Sequence, residues 1–329
     1  VNPPTIAYPG ITTTNITSSS VTISWNKAED TQSDTTALVY KIYRSEANPA
    51  YQSFDTMEEV EAGIPVATLT DAASTTITEL TAGSAYYINI VVLDEEDNKA
   101  LYDPLGEYLH ANQVAYYPFS ANTSDAASTA NHLVAAYDGV TTFALPYETL
   151  DRFSHASSAY NFHPDLVQCL QSTYLVGISG NADRSVSFWV QSSNTDAMAR
   201  APFAWGDGGV AGSNFGVYES GTNTNWTVWL GGAADLSTAT AVTTDWEHWV
   251  IGYDSLNDAV YTYKNGVVVT NGTVPATVAN TVDTLLYVGC GMNAGVLGDL
   301  YWGNIDDIRI FNQLLGSADV ARLYEYTRL

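Results

Sequence analysis

Apolar and polar residues alternate along most of this chain with the period of two that a strand with one buried face requires. Val21-Thr22-Ile23-Ser24-Trp25, Leu38-Val39-Tyr40-Lys41-Ile42-Tyr43-Arg44 and Tyr86-Tyr87-Ile88-Asn89-Ile90-Val91-Val92 are three such runs in the first third, rich in β-branched and aromatic residues. Ser185-Val186-Ser187-Phe188-Trp189-Val190, Phe215-Gly216-Val217-Tyr218 and Asn225-Trp226-Thr227-Val228-Trp229-Leu230 continue the pattern. Tyr261-Thr262-Tyr263-Lys264 leads into Asn265-Gly266, the strongest short hairpin signal. Helical spacing is confined to a closing stretch from Ser317 to Tyr324, with Ser317 as N-cap, Asp319 in the first turn and Val320, Leu323 and Tyr324 on one side. The acidic run from Phe54 to Gly63 reads as a long loop with a helical turn. The pattern predicts an all-β fold of two sandwiches, with residues 1–112 as one domain and 113–329 as the other.

The last strand, Gly303 to Asn312, sets a problem of its own. Strict alternation places Asp306 on the face of Ile308 and Ile310, and Asp307 on the opposite face with Arg309 and Phe311. Asp306 is then a carboxylate on an apolar side and needs a partner there. Asp307 and Arg309 are expected to pair on the surface.

Composition narrows the partners. With 11 Lys+Arg against 36 Asp+Glu the net charge is −25, which repels nucleic acid and anionic membranes. No apolar run approaches the ~20 residues of a membrane helix, so no membrane insertion is expected. The two cysteines, Cys169 and Cys290, fall in the second domain and fit either a disulfide or two buried thiols. The Asp94-Glu95-Glu96-Asp97-Asn98 run is expected to be a solvated hairpin tip.

Two family resemblances rest on these motifs. Leu80-Thr81-Ala82-Gly83-Ser84-Ala85-Tyr86 resembles the fibronectin type III pattern L-x-P-G-T-x-Y, with Ala82 in place of Pro and Ser84 in place of Thr. That resemblance makes Tyr86 the tyrosine-corner residue and Trp25 the core tryptophan. From Val114 onward the chain resembles LamG-like jelly rolls of the concanavalin A-like lectin/glucanase superfamily. The similarity is carried by Tyr116-Tyr117-Pro118-Phe119, Ser185-Val186-Ser187-Phe188-Trp189-Val190, Trp246-Glu247-His248-Trp249-Val250 and the ending Gly303-Asn304-Ile305-Asp306-Asp307-Ile308-Arg309-Ile310-Phe311-Asn312. It implies a concanavalin A-like jelly-roll sandwich after an N-terminal fibronectin type III, Ig-like one.

The candidate chemistry follows from the second resemblance. Glucanases of the superfamily carry paired carboxylates on one short strand, as E-x-D-x-E or E-x-D-x-x-E, and no central strand here does, so no catalytic residue is assigned. Jelly rolls of this kind often hold a structural Ca²⁺ at one edge. Asp306, Asp125 and Asp138 are the candidate ligands, because Ca²⁺ takes hard oxygen donors. For a sugar, an aromatic ring and nearby hydrogen-bonding groups are required. Alternation buries Trp226, Val228 and Leu230 and turns Trp229 outward, and Trp205, Asp207 and Tyr218 lie on neighbouring elements. Trp205, Asp207, Tyr218 and Trp229 are therefore the candidate ligand contacts, while Trp189, Trp246 and Trp249 are expected in the core.

The resemblance implies a non-catalytic extracellular or cell-surface protein that binds glycans or a glycosylated surface, its lectin-type domain presented on a fibronectin type III spacer. Two alternatives use the same modules. One is a structural component of a surface filament or virion, as a self-assembling fibre or decoration protein on the virion surface. The other is an accessory module of a larger glycoside hydrolase.

Overall fold

The computed structural model describes residues 2–32, 34–46, 54–127, 131–193, 198–219, 225–273 and 279–327. Apart from two α-helices and three short 3-10 turns, its regular elements are strands. No helix among the described residues is long and apolar enough to cross a membrane. The chain forms two compact units, Val1–Ala111 together with Arg322–Leu329, and Asn112–Ala321. The break thus falls one residue earlier than the sequence pattern placed it. The last eight residues, expected in the second domain, are grouped with the first.

The first unit is a sandwich of a three-stranded sheet (Ile11–Ile16, Val21–Trp25, Ser74–Ile77) and a five-stranded sheet centred on Val39–Glu46 and Ala85–Leu93. Trp25 is buried with its ring 5.7 Å from that of Tyr40. The hydroxyl of Tyr86 accepts the Thr81 amide at 2.9 Å, closing the tyrosine corner even though Ala82 replaces the usual proline. Thr56 caps the short helix Met57–Glu61 by accepting the Glu59 amide. Asp94 accepts the backbone amides of Glu96 and Asn98, so the acidic hairpin tip is held by its own turn. The closing helix, Ser317–Thr327, is longer than its sequence pattern, and its buried hydrophobic residues are Val320, Leu323 and Tyr326 rather than Tyr324. Tyr326 sets its ring edge-on to Tyr87.

The second unit stacks a seven-stranded sheet on an eight-stranded one. In the seven-stranded sheet the order is Leu133–Ala135, Leu170–Leu175, Leu285–Val288, Arg200–Gly206, Asn214–Glu219, Asn225–Trp229, Leu236–Ala241. The facing sheet runs Tyr147–Thr149, Ala159–Phe162, Gly303–Phe311, Arg184–Ser192, Glu247–Asp254, Ala259–Lys264, Val267–Thr273. Gln113–Tyr117 also pairs with Gly303–Phe311. Asn265 and Gly266, both at positive φ, make the expected hairpin turn. Between the sheets lies an aromatic core that includes Phe188, Phe203, Trp205, Phe215, Trp226 and Trp249. Trp189 is buried on the other face of its strand, and Trp246 is half-buried, so of the three tryptophans expected in this core only Trp249 is there.

The strand Gly303–Phe311 is the spine of the eight-stranded sheet. Arg184–Ser192 pairs along one side of it, while Ala159–Phe162 and then Gln113–Tyr117 share the other. A bulge interrupts it. Trp189 faces Asp306 and Ser187 faces Arg309, so Phe188 alone stands opposite two residues, and Asp307 takes the left-handed conformation at φ 48°. The extra residue shifts the phase of the alternation, so Ile305, Ile308 and Ile310 all face the core. Asp306 and Asp307 therefore do not point to opposite faces as alternation predicts. Both carboxylates meet one guanidinium: Arg152 reaches Asp306 and Asp307 at 2.5 Å each. Arg152 also lies over the rings of Trp189 and Phe153, 4.6 and 4.5 Å from their centres. The Tyr116 hydroxyl donates to Asp307 at 2.7 Å. Burial, then the charge of Asp307, raises the Asp306 pKa well above the usual carboxylate range. Burial also opposes charge on Asp307, but Arg152, Arg309 and the Tyr116 hydroxyl outweigh it and bring that carboxyl below its ordinary value.

Cys169 and Cys290 form a disulfide, their Cα atoms 5.6 Å apart. It sits in a satellite cluster with Ala136, Phe143, Tyr287 and Leu297. The bond closes a sequence separation of 121 residues, so in the chain-entropy model it contributes about 4–5 kcal/mol through the unfolded state. Cys169→Ser combined with Cys290→Ser should lower the urea midpoint accordingly, and equal midpoints would show that the bond contributes nothing. Arg152→Met removes the cation that the two buried carboxylates share and should cost about 3–5 kcal/mol. Adding Asp306→Asn and Asp307→Asn should recover part of that loss, and no recovery would mean that Arg152 acts by packing rather than charge.

Candidate functional site

The outer face of the seven-stranded sheet carries the candidate site. In Asn225–Trp229 the inward residues are Trp226 and Val228, and parity turns Trp229 out. Its neighbour Asn214–Glu219 buries Phe215 and Val217 and turns Tyr218 out. The two outward rings meet edge to face, 5.8 Å apart at 84°. Gly208 and Gly291 make room for the indole. A Cβ at Gly208 would lie 2.0 Å from Trp229 Cζ2, and one at Gly291 2.2 Å from Cζ3. The close fit leaves Trp229 only 4% exposed, whereas Tyr218 is only partly buried against it.

Around these rings lies a cleft of about 410 Å³, lined by Ala199, Gly208, Gly209, Tyr218, Trp229, Gly232, Asp235, Asn293 and Asp299. The turn after Trp229 brings Asp235 back beneath the strand end. Its Oδ1 accepts the amides of Leu230 and Gly231 at 3.0 and 2.9 Å, and its Oδ2 accepts the Tyr218 hydroxyl at 3.2 Å. Burial raises the Asp235 pKa against these lowering hydrogen bonds. The Tyr218 phenol is pushed up to about 12, first by burial and then by the charge of Asp235. Asp299 enters from the opposite side, and burial raises its carboxyl too. Among the described residues no group hydrogen-bonds to the Asp299 carboxylate. A second cleft, about 440 Å³, opens at the edge of the eight-stranded sheet. It is lined by Asn122, Thr123, Ser124, Leu145, Pro146, Tyr147, Glu148 and Tyr160.

Of the four residues the sequence singled out, two line the cleft and two do not. Tyr218 and Trp229 are there. Asp207 is not a lining residue. Its Oδ1 accepts the amides of Gly209 and Ala294 at 2.9 and 2.7 Å, so it anchors the two loops that carry Gly208, Gly209 and Asn293 into the wall. Trp205 must be withdrawn as a contact. It is 0% exposed between the sheets, against Phe203 and Phe215, because it shares strand parity with Phe203. Asp235, Asn293 and Asp299 were missed because they stand on turns that only the topology brings together. The Gly231-Gly232 pair just before Asp235 was the one local signal of such a turn.

The proposed calcium ligands do not fit an ion. Asp306 is committed to Arg152. Asp125 Oδ1 accepts the amides of Tyr116 and Ala127, and Asp138 accepts those of Val140 and Thr141 in an exposed turn. Among the described residues no three acidic, histidine or cysteine side chains come together as a metal-binding group. The carboxylates and histidine nearest to catalytic patterns are also committed. Glu247 accepts the Trp249 indole N–H at 2.9 Å and pairs with Lys264 at 2.6 Å. Ser187 and His248 meet at 2.8 Å but are both buried, and burial, with Arg152 adding to it, depresses the imidazole to about 3.

Comparison with known proteins bears on the two domains. Residues 2–102 match the fibronectin type III domain, and residues 169–321 match Laminin_G_3 of the concanavalin A-like lectin/glucanases superfamily. The chain is a fibronectin type III domain followed by a concanavalin A-like jelly roll. No curated protein matches it. Among solved structures it is similar to domain 4 of AbnA, a GH43 extracellular arabinanase from Geobacillus stearothermophilus solved with arabinotriose, at 20% identity and TM-score 0.51. That match covers 65% of this chain and 98% of the other. The binding domain of Paraclostridial Mosquitocidal Protein 1 follows at 15% identity and TM-score 0.48, over 65% of this chain and 52% of the other. The Ruminococcus gnavus IT-sialidase CBM40 in complex with α2,3-sialyllactose shares 11% identity at TM-score 0.37, over 44% and 83%. Of these three, the arabinanase domain alone passes a TM-score of 0.5, and at that identity it speaks to fold and nothing finer.

Although alternation turns Trp229 outward, its packing makes the ring part of the fold. Trp229→Ala should destabilise the second unit by about 3–5 kcal/mol, as for other buried tryptophans. A thermal midpoint within a degree of wild type would mean that the indole is not packed as described.

Proposed function

We propose that the second unit is a non-catalytic carbohydrate-binding module, carried extracellularly beside a fibronectin type III domain, and that the Tyr218 cleft is its sugar site. The observation that carries this reading is the partly buried Tyr218 ring set edge to face with Trp229, bordered by Asp299 and the Asn293 amide. A sugar presents a C–H face to such a ring and hydroxyls to such polar groups. The cleft is poorly suited to hydrolysis. Glycoside cleavage usually needs two carboxyl groups free to act on the bond, and both oxygens of Asp235 are already held by protein donors. Only Asp299 remains.

The disulfide supports an oxidising compartment. The arabinotriose complex of the AbnA domain makes neutral oligosaccharides the first probes. One ring contributes about 1 kcal/mol, so a single site binds weakly and gains from many copies displayed on one surface. That is the setting in which the filament, virion and hydrolase-module alternatives would also use it.

Titration of the intact chain by calorimetry or NMR against arabinotriose and a panel of neutral oligosaccharides should give millimolar or tighter binding without product formation. Tyr218→Ala should weaken it about fivefold, the equivalent of about 1 kcal/mol. Release of shorter sugars, or no saturable binding across the panel, would overturn the reading.

A further inference from the structure

The cleft has a one-sided charge. Among the described residues its lining holds two carboxylates, Asp235 and Asp299, one amide, one phenol, one indole and no lysine, arginine or histidine. Several of the protein's own donors around the cleft are engaged. The Tyr218 hydroxyl and the Leu230 and Gly231 amides go to Asp235, the Gly209 amide goes to Asp207, and the Gly208 amide goes to the Met292 carbonyl. What faces a ligand includes the Asp299 carboxylate as its charged acceptor, with the Asn293 amide at the rim and the Trp229 indole at the floor. A partly buried carboxylate without a protein donor is stabilised by a ligand that brings hydrogens to it, and an anion brought into the same cleft is repelled by both aspartates. The chain's net charge of −25 acts in the same direction on approach.

We propose, resting on the glycan-binding reading above, that this cleft selects sugars without negative charge and excludes uronic, sialic and sulfated ones, with Asp299 as the specificity-determining residue that accepts hydrogen bonds from ligand hydroxyls. Affinity follows ligand charge, with a free amino sugar binding at least as tightly as its neutral counterpart and both binding more tightly than the acid.

Matched ligands test this: each neutral oligosaccharide of the panel, the form whose terminal CH₂OH is oxidised to a carboxylate, and the amino-sugar form, titrated into the intact chain at about 150 mM salt. The neutral form should bind at least tenfold more tightly than the uronate. Asp299→Asn keeps the side-chain shape, and asparagine tolerates the left-handed backbone found here at φ 50°. This variant should weaken neutral binding and shrink the neutral-to-acid ratio at least threefold. Cleft charge comes from Asp235 and Asp299, because the Tyr218 phenol is neutral at neutral pH. Burial raises both carboxyls, so they take up protons above the usual carboxylate range as pH falls. The ratio should therefore also shrink between pH 7.5 and pH 4.5, starting above the ordinary aspartate pKa of about 3.9. Uronates that bind as well as neutral sugars, or a ratio unchanged in Asp299→Asn, overturn the selectivity while leaving the site intact if neutral binding still depends on Tyr218. Failure of every neutral ligand to bind removes both readings together.

Discussion

The second unit depends on one guanidinium placed at a break in its central strand. Gly303–Phe311 has to serve three partners, and where Ala159–Phe162 ends and Gln113–Tyr117 begins its own pairing is broken by the bulge at Asp307. That break allows Ile305 and Ile308 to face the same core, and it leaves two adjacent carboxylates buried. Arg152, from a loop remote in sequence, meets both and is itself covered by Trp189 and Phe153. A buried cluster of this kind adds less net stability than its short contacts suggest, because every member gives up its water. Its consequence is geometric: the bulge, the change of phase and the loop before Ala159–Phe162 are held in one arrangement.

Much of this fold was legible because β-structure writes its period into the chain. The alternation around Trp25, Ile42, Phe188 and Trp226 located strands and faces correctly. The same rule, applied to Phe203 and Trp205 as a pair, places both rings inside, and the expectation of a ligand-facing Trp205 came from reading that ring without its strand neighbour. Tyr218 was legible by parity, being out of phase with Phe215 and Val217. The bulge was not, since an inserted residue breaks the periodicity that any reading of faces relies on. Arg152 could not be matched to Asp306 and Asp307 from sequence either, because the pairing is made by topology over a long separation. The cysteine pair was open for the same reason: spacing alone does not tell a disulfide from two buried thiols.

The candidate site shows how a sheet with a packed inner face builds a second feature on its outer one. Two outward rings from adjacent strands meet, glycines give the indole room, and turns from either side bring in aspartates with different duties. Asp207 and Asp235 are consumed in shaping loops. Asp299 is not, and it gives the cleft an acceptor open to a ligand. Preorganised donors around Asp235 mean that little of the wall has to be ordered when a ligand arrives, which lowers the cost of binding, while the small contact area keeps a single site weak. Such a contact suits a module that works by repetition or by attachment to a larger assembly.

The central claim is that the Tyr218 cleft, and not the edge cleft beside Tyr147, receives the sugar. Backbone amide NMR of the intact chain during titration with a saturating neutral oligosaccharide tests it most directly. The account predicts shifts concentrated at Gly209, Tyr218, Gly232, Asp235, Asn293 and Asp299. Shifts clustered instead at Asn122, Ser124, Tyr147 and Glu148 would contradict it.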